Sequence, residues 1–150
     1  MHAGRLGLLL LAGALLGGCA AGATSTPAAP RDVLTVSCDE LAAGGQGAGS
    51  TPLERSVTVA PGESFRITLC SNPSTGFSWE DPGVAGSADA SLVDHQVSPA
   101  SGSTAGAAGS ELFTFRAASA GTATIDFTYS RPWEGGEKGA WAVAVSVDAT

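Results

Sequence analysis

The most distinctive stretch of the chain is residues 70–79, which read CSNPSTGFSW. It contains the single asparagine of the chain, followed by a proline, two small hydroxyl residues and a glycine. Asn72 can hydrogen-bond the backbone two residues on, Pro73 fixes its own φ near about −65°, and Gly76 can adopt a positive φ. We therefore predict a stiff, narrow, uncharged loop. Such a loop suits insertion into a cleft, because prior order lowers the entropy cost of binding; the alternative is a turn that only reverses a strand.

A second stretch that could bind a partner is RPWE, residues 131–134, which lies between two predicted strands. A tryptophan held between a proline and a glutamate in a loop is hard to bury, and exposed Trp and Arg are enriched among binding hot spots. We interpret Trp133 as a contact residue; the alternative is that it folds back as a cap over the end of the domain. Trp79 and Trp141 lie beside predicted strands, where core packing is the better interpretation.

Catalytic chemistry finds little support. After the N-terminal segment the chain has one histidine, His95, inside a predicted strand, so neither a Cys-His nor a Ser-His-Asp set can be assembled without it. One histidine, two cysteines and scattered carboxylates do not make a metal site. Lys138 belongs to no Ser-x-x-Lys arrangement and no phosphate-binding loop. We predict a protein that is not an enzyme, with no cofactor and no metal.

The charge of the chain excludes one class of partner. Seven Lys and Arg residues stand against fourteen Asp and Glu residues, which gives a formal net charge of −7. The basic residues are scattered, so no basic stripe exists to neutralise phosphates. We expect no nucleic acid partner, and we expect a monomer.

The first residues, MHAGRLGLLLLAGALLGGC, have the features of an export signal. Arg5 precedes an apolar run over residues 6–16, which is shorter than the roughly 20 residues that span a bilayer. Small residues then precede Cys19, and a cysteine at this point is typical of bacterial lipoproteins, in which its thiol is acylated. We predict a signal peptide over residues 1–18 and lipidation of Cys19. The alternative is an ordinary signal with a chance cysteine.

The rest of the chain divides into a tether and one domain. Residues 19–31 are small residues and prolines that cannot build a core, so we predict a lipidated flexible tether. Residues 32–150 fit one domain of ordinary size. The predicted location is the outer face of the bacterial cell membrane, or the periplasm where an outer membrane is present, with the lipid on Cys19 as the membrane contact.

Within the domain, apolar residues recur with period two and not 3.6. The predicted strands are residues 33–37, 56–60, 64–69, 91–97, 111–117, 122–129 and 141–147, with 77–79 as a possible eighth. Segments rich in Gly, Pro and Ser separate them, and residues 42–50 and 100–110 are expected to be long flexible loops. No helix-period stretch follows the signal. The pattern predicts an all-β, immunoglobulin-like antiparallel β-sandwich of about seven or eight strands.

Two cysteines remain in the domain, Cys38 and Cys70, each at the end of a predicted strand. An oxidising compartment outside the cell favours a disulfide between them. The alternative is two buried free thiols. Cys70 shares strand parity with Arg66 and Thr68, which weakens any claim that it points into the core.

Three motifs now stand in order along the chain: Asn72-Pro73-Ser74-Thr75-Gly76-Phe77, Gly106-Ala107-Ala108-Gly109 and Arg131-Pro132-Trp133-Glu134. We name them loop 1, loop 2 and loop 3. With these motifs, residues 33–148 resemble the chagasin family, protein inhibitors of papain-like cysteine peptidases. That family carries an Asn-Pro-Thr-Thr-Gly-Tyr/Phe loop, a Gly-x-Gly-Gly loop and an Arg-Pro-Trp/Phe loop on an immunoglobulin-like sandwich. This chain resembles a bacterial lipoprotein member.

The resemblance implies a reversible, tight-binding inhibitor that contacts a papain-like peptidase with three loops at one end of the sandwich. Loop 1 would enter the active-site cleft, with Thr75 and Gly76 nearest the catalytic cysteine. Arg131 and Trp133 would pack on the primed side, and loop 2 would line the opposite wall. The chain departs from the family at Ser74, a mild change, and at Ala108, where a positive φ would be strained.

A second class of function remains open on the sequence alone. The same fold could serve as a lipid-anchored adhesion or envelope-assembly module without inhibitory activity, because fold does not determine function.

Overall fold

The computed structural model describes residues 28–44, 47, 49–100 and 106–150 of the 150-residue chain. The predicted signal peptide, Cys19 and most of the predicted tether lie outside the described residues. In the part of the chain that is described, no helix has the length and apolar character needed to cross a bilayer.

Two β-sheets face each other in the described residues. One sheet has the strand order β1-β3-β7-β6. The other has the order β2-β9-β8-β4, and β5 also pairs with β8. The strands are β1 (Arg31–Val36), β2 (Leu53–Val59), β3 (Ser64–Ser71), β4 (Ser78–Trp79), β5 (Gly83–Gly86), β6 (Ala90–Ser98), β7 (Gly109–Ala117), β8 (Gly121–Ser130) and β9 (Trp141–Ala149). The predicted all-β, immunoglobulin-like sandwich is confirmed.

The strand pairing differs from a purely antiparallel sandwich in two places, because β1 pairs with β3 and β2 pairs with β9 in parallel. Between the two strands of each pair, the chain forms at least one strand of the opposite sheet. This gives the long connection that parallel strands need. A period-two pattern records which residues face inward, but it carries no strand direction. The described residues contain nine strands, more than predicted, because β5, GVAG, is short and exposed over its whole length.

The core lies between the sheets and is built from alternate residues of each strand. In β8 the inward positions Ala123, Ile125, Phe127 and Tyr129 are at most 5% exposed, while the residues between them mostly face solvent. Their packing partners on the other strands include four further aromatic or aliphatic positions at zero exposure: Phe65, Ile67, Phe113 and Phe115. Burying a side chain of this size contributes about 1.5–3 kcal/mol.

A short helix, α1 (Cys38–Ala43), corrects the expectation that no helix follows the signal and that residues 42–50 form only a loop. Its start is a capping box: Ser37 Oγ accepts from Glu40 N, and the Glu40 side chain accepts from Ser37 N at 2.8 Å. Backbone and side-chain hydrogen bonds from Ser37, with one from Arg55, lower the pKa of Glu40 to about 2. Six residues are too few for a visible helical period, so only the Ser-x-x-Glu spacing could have revealed α1.

The predicted disulfide between Cys38 and Cys70 is present, with the two Cα atoms 5.2 Å apart. Cys70 lies on the outward parity of β3, yet it is only 7% exposed. Helix α1 contacts β3, and Cys38 at its start is bonded to Cys70, so the outer face is covered here. Strand parity therefore indicated the direction of the Cys70 side chain but not its burial.

Candidate functional site

Strand register brings the three loops to one end of the sandwich. Ser71, which precedes loop 1, pairs with Gly109 at the end of loop 2. Ser78, just beyond loop 1, pairs with Ser130, which precedes loop 3. The predicted clustering of the loops is thus a consequence of the sheets that carry them.

Loop 1 is held in a compact form by its own backbone. Residues Pro73–Thr75 make a single 3-10 turn, in which Thr75 N donates to Asn72 O at 3.1 Å and Gly76 N donates to Pro73 O at 3.0 Å. Gly76 follows with φ of 79° and ψ of 5°, the left-handed conformation that glycine adopts without strain. The Thr75 hydroxyl also donates to Asn72 O at 2.7 Å. The predicted stiffness has this physical basis.

The side chain of Asn72 does not make the predicted bond to the backbone two residues on. Its carbonyl oxygen accepts from the Ser74 hydroxyl, and its amide nitrogen donates to Gly106 O at 2.9 Å. The second bond joins loop 1 to loop 2, which sequence spacing could not show. Ala108 is not strained, since Asp89 is the one non-glycine residue with a positive φ in the described part of the chain.

Loop 3 packs against loop 1 through two contacts. The Arg131 guanidinium carbon lies 4.4 Å from the centre of the Phe77 ring and 5.8 Å from that of Trp133, so the cation lies between two aromatic groups. The Trp133 ring lies against the backbone of Gly76: a Cβ added there would stand 2.6 Å from Cη2 of the indole. A side chain at position 76 would therefore displace the tryptophan.

Hydrogen bonds fix the path of the chain around loop 3. Arg131 N donates to Glu137 O at 2.8 Å, Gly136 N donates to Trp133 O at 3.1 Å, and Lys138 Nζ donates to Arg131 O at 2.7 Å. Pro132 and Trp133 lie at the exposed bend of this segment.

The three tryptophans have different environments. Trp133 is 51% exposed and its ring lies on Gly76, so it is not a core residue; the alternative that it caps the end of the domain is left to the Trp133→Ala variant. Trp79 is 4% exposed and donates from Nε1 to Cys70 O at 3.0 Å, which confirms its core role. Trp141 is partly buried and stacks on Tyr129 with ring centres 4.9 Å apart.

A cavity of about 330 Å³ opens between loops 1 and 3, and it includes Thr75, Phe77, Tyr129, Arg131 and Trp141 in its lining. Within the described residues, Nε of Arg131 and Nε1 of Trp141 are buried without a hydrogen-bond partner. Both groups are donors, and because they are closed off from solvent they are not available to a group that enters the cavity.

Beneath loop 1 lies a polar network that sequence reasoning missed. Glu111 is 1% exposed; its carboxylate accepts from Ser71 Oγ at 2.7 Å and lies 2.8 Å from His95 Nε2. The hydroxyl of Tyr129 accepts from Asn72 N at 2.8 Å. Glu111 has the same strand parity as the buried Phe113, so its carboxylate is expected to face inward. That expectation was the one sequence signal from which the network could have been found. His95 lies in β6, so its prediction as a strand residue is confirmed.

In the described part of the chain, no group of three or more His, Cys, Asp or Glu residues is arranged to hold a metal ion. In the described residues the loop end presents small residues, the rings of Phe77 and Trp133, and the charged groups of Arg131, Glu134 and Lys138. These groups can bind a surface through shape and hydrogen bonds, but they provide no nucleophile paired with a base.

Comparisons with known proteins point to one family. Residues 58–147, which contain all three loops, match the family described as "Chagasin family peptidase inhibitor I42". Chagasin of Trypanosoma cruzi is 40% identical over 82 residues, which cover 53% of this chain and 74% of that protein.

Two solved structures share the fold. The cysteine protease inhibitor EhICP2 from Entamoeba histolytica superposes with a TM-score of 0.51 at 22% identity, covering 81% of this chain and 100% of that one. PbICP-C, solved in complex with falcipain-2, gives a TM-score of 0.53 at 15% identity and covers 80% of this chain and 99% of that one. At these identities the likeness establishes the architecture.

Proposed function

Because the chain belongs to the chagasin family of peptidase inhibitors, we propose that it is a reversible, tight-binding inhibitor of papain-like cysteine peptidases that inserts loop 1 into the active-site cleft. It is an inhibitor and not an enzyme. The observation that carries the mode of action is the contact of loop 1 with both other loops at one end of the sandwich.

The shape of loop 1 suits a deep, narrow cleft. Its 3-10 turn places Ser74 and Thr75 at an exposed crest without any charged side chain. The loop keeps this shape through bonds that exist before a partner arrives, so little conformational entropy remains to be lost on binding. Thr75 and Gly76 would then lie nearest the catalytic cysteine of the peptidase.

The mode of inhibition follows from what the loop lacks. In the described residues Cys38 and Cys70 are joined to each other, so neither offers a free thiol. The hydroxyls of Ser74 and Thr75 already donate to Asn72. We infer a non-covalent complex in which the chain stays uncleaved.

Loops 2 and 3 would contact the two walls of the cleft. Trp133, half exposed and backed by Arg131, has the composition of a binding hot spot on the primed side. The cavity between loops 1 and 3, which includes Phe77 and Tyr129 in its lining, would receive a side chain of the peptidase. Gly106, held by Asn72, directs loop 2 toward the opposite wall.

An inhibition assay tests the function. A soluble form that starts at Ala20 should inhibit papain-like peptidases at equimolar amounts, release active enzyme on dilution and run as an intact chain afterwards. Stoichiometric cleavage within loop 1 would indicate a substrate-like mechanism. Full peptidase activity at saturating protein would contradict inhibition and favour the adhesion or envelope-assembly module.

We also propose that the chain is a lipid-anchored monomer on the outer face of the cell membrane, or in the periplasm where an outer membrane is present. The support is the sequence of residues 1–19. Mass spectrometry of the N-terminal peptide should find Cys19 as the first residue with a diacylglyceryl group. An unmodified cysteine at that position would contradict the anchor.

A further inference from the structure

We propose that Glu111 is a positioning residue for inhibition: its buried carboxylate holds both stems of loop 1 in the shape that fits a cleft. This inference deepens the proposed function and rests on it. None of the three loop motifs contains Glu111, and the residue is 1% exposed, so it acts through the loop and not by touching a peptidase.

The carboxylate bonds to residues on both sides of loop 1. Before the loop, the Ser71 hydroxyl donates to Glu111 Oε1 at 2.7 Å. After the loop, Trp79 N donates to the same oxygen through a long bond of 3.5 Å. Glu111 Oε1 thereby connects the two ends of loop 1. The internal hydrogen bonds of loop 1 do not reach β3 or β4.

A second path leads from Glu111 to the first residue of the loop. Asn72 N donates to the Tyr129 hydroxyl at 2.8 Å, and that hydroxyl lies 3.5 Å from Ser71 Oγ. Since Ser71 gives its proton to Glu111, its oxygen is left to accept the proton of Tyr129. The proton directions therefore run from Asn72 through Tyr129 and Ser71 to the carboxylate, and each bond orients the next.

His95 closes the network on the solvent side. Its Nε2 lies 2.8 Å from Glu111 Oε2, and its ring stacks on Phe113 with centres 4.2 Å apart. The side chain of His95 is 31% exposed, against 2% for that of Glu111, so the histidine separates the carboxylate from water. A carboxylate buried this deeply destabilises the folded protein unless both of its oxygens accept hydrogen bonds. Orientation of loop 1 is the role that the geometry gives it.

Binding kinetics distinguish positioning from contact. Without the acceptor, loop 1 spends less time in the shape that binds, and the apparent affinity falls in proportion to the competent fraction. The association rate then falls while the dissociation rate stays the same. A residue that touches the peptidase changes mainly the dissociation rate.

The experiment uses the full-length protein, papain, and three changes in the network. Glu111→Leu removes the acceptor at similar volume, Tyr129→Phe removes one oxygen, and Glu111→Gln retains an acceptor for Ser71. With active inhibitor counted by titration, we expect the first two to slow association about tenfold, which corresponds to about 1.4 kcal/mol. Glu111→Gln should restore most of the wild-type rate.

The matched control is Glu63→Leu. Glu63 also accepts a backbone bond, from Ala60 N at 2.7 Å, but it precedes β3 and so lies at the end of that strand opposite loop 1. The Glu63→Leu variant should associate with papain at the wild-type rate. Amide hydrogen exchange of wild type and variants gives a readout without peptidase: Asn72 and Trp79 should lose protection in Glu111→Leu and Tyr129→Phe, while amides in β9 keep theirs.

Each outcome decides the proposal. Unchanged association and unchanged loop protection in Tyr129→Phe and Glu111→Leu would overturn it, as would equal loss of protection throughout the domain or equal slowing by Glu111→Gln and Glu111→Leu. If Glu111→Leu does not fold, Tyr129→Phe and Glu111→Gln decide. If the wild type fails to inhibit any papain-like enzyme, the proposed function is wrong, and hydrogen exchange still shows whether Glu111 orders loop 1.

Discussion

The indole of Trp133 lies directly on the backbone of Gly76, so that a Cβ at position 76 would stand 2.6 Å from Cη2 and 3.1 Å from Cζ3 of that ring. The two residues are 57 positions apart and belong to different loops. Their contact requires the absence of a side chain at Gly76, and it makes the crest of loop 1 and the exposed tryptophan parts of one surface.

Gly76→Ala should therefore weaken binding to a papain-like peptidase through two effects. The methyl group meets the Trp133 ring, and the φ of 79° is unfavourable for alanine by about 1–2 kcal/mol. We expect inhibition at least about tenfold weaker in a folded protein, as measured by the inhibition constant together with a thermal melt.

Gly62→Ala is the matched control for that change. Gly62 has a φ of 82°, with no atom within 4 Å of an added Cβ, and it lies in the turn before β3, away from the loop end. It should lower thermal stability by the conformational effect alone and leave the inhibition constant unchanged. Equal inhibition by the two alanine variants would refute the role given to the contact between Gly76 and Trp133.

Trp133→Ala should leave the fold intact, because half of the side chain is already exposed. Binding should weaken by about 2 kcal/mol or more, mainly through faster dissociation. Inhibition kinetics and a thermal melt on the same sample measure both. An unfolded domain with unchanged binding per folded molecule would instead assign Trp133 to the structural core.

Trp79→Ala should have the opposite outcome. Its ring is 4% exposed and packs against Phe127 and Tyr129, so its removal empties a core site. We expect a loss of about 3–5 kcal/mol in the free energy of unfolding, measured by denaturant titration. A loss below about 1 kcal/mol would show that the packing around Trp79 is not what holds the sheets together.

Acid should weaken the capping box of α1. The pKa of Glu40 is lowered from 4.5 to about 2, chiefly by the hydrogen bond from Ser37 N. The Glu40 carboxylate is therefore protonated at a lower pH in the folded chain than in the unfolded chain. The contribution of Glu40 is then complete above about pH 4.5 and is lost as the pH falls toward about 2. The stability difference between wild type and Glu40→Gln, followed by denaturant titration, should shrink over that range. A constant difference would contradict the lowered pKa.

The parts of the fold that the sequence predicted are those with a local signal. Period-two alternation located seven strands, and the turn residues located loop 1 and the positive φ of Gly76. The parallel pairing of β1 with β3 and of β2 with β9 was not predictable, because side-chain alternation is the same in either strand direction. Helix α1 was missed because six residues are too few to show a period, although Ser37 and Glu40 carried the cap signal.

The candidate site was predictable as motifs but not as a connected surface. The exposure of Trp133 followed from its neighbours in the chain, whereas the bond from Asn72 to Gly106 and the stacking of Arg131 on Phe77 join residues far apart in sequence. Glu111 lay within a predicted strand, and its inward parity was the one available sign of the network beneath loop 1.

If loop 1 occupies the active-site cleft of a papain-like peptidase, it shields the catalytic cysteine from small reagents. Papain, alone or with saturating inhibitor, is treated with iodoacetamide, and alkylation of its active-site cysteine is followed by mass spectrometry. We expect that alkylation slows in proportion to the fraction of papain bound, and that Trp133→Ala loses this protection at concentrations where the wild type saturates. Alkylation at the free-enzyme rate in a fully formed complex would contradict that placement of loop 1.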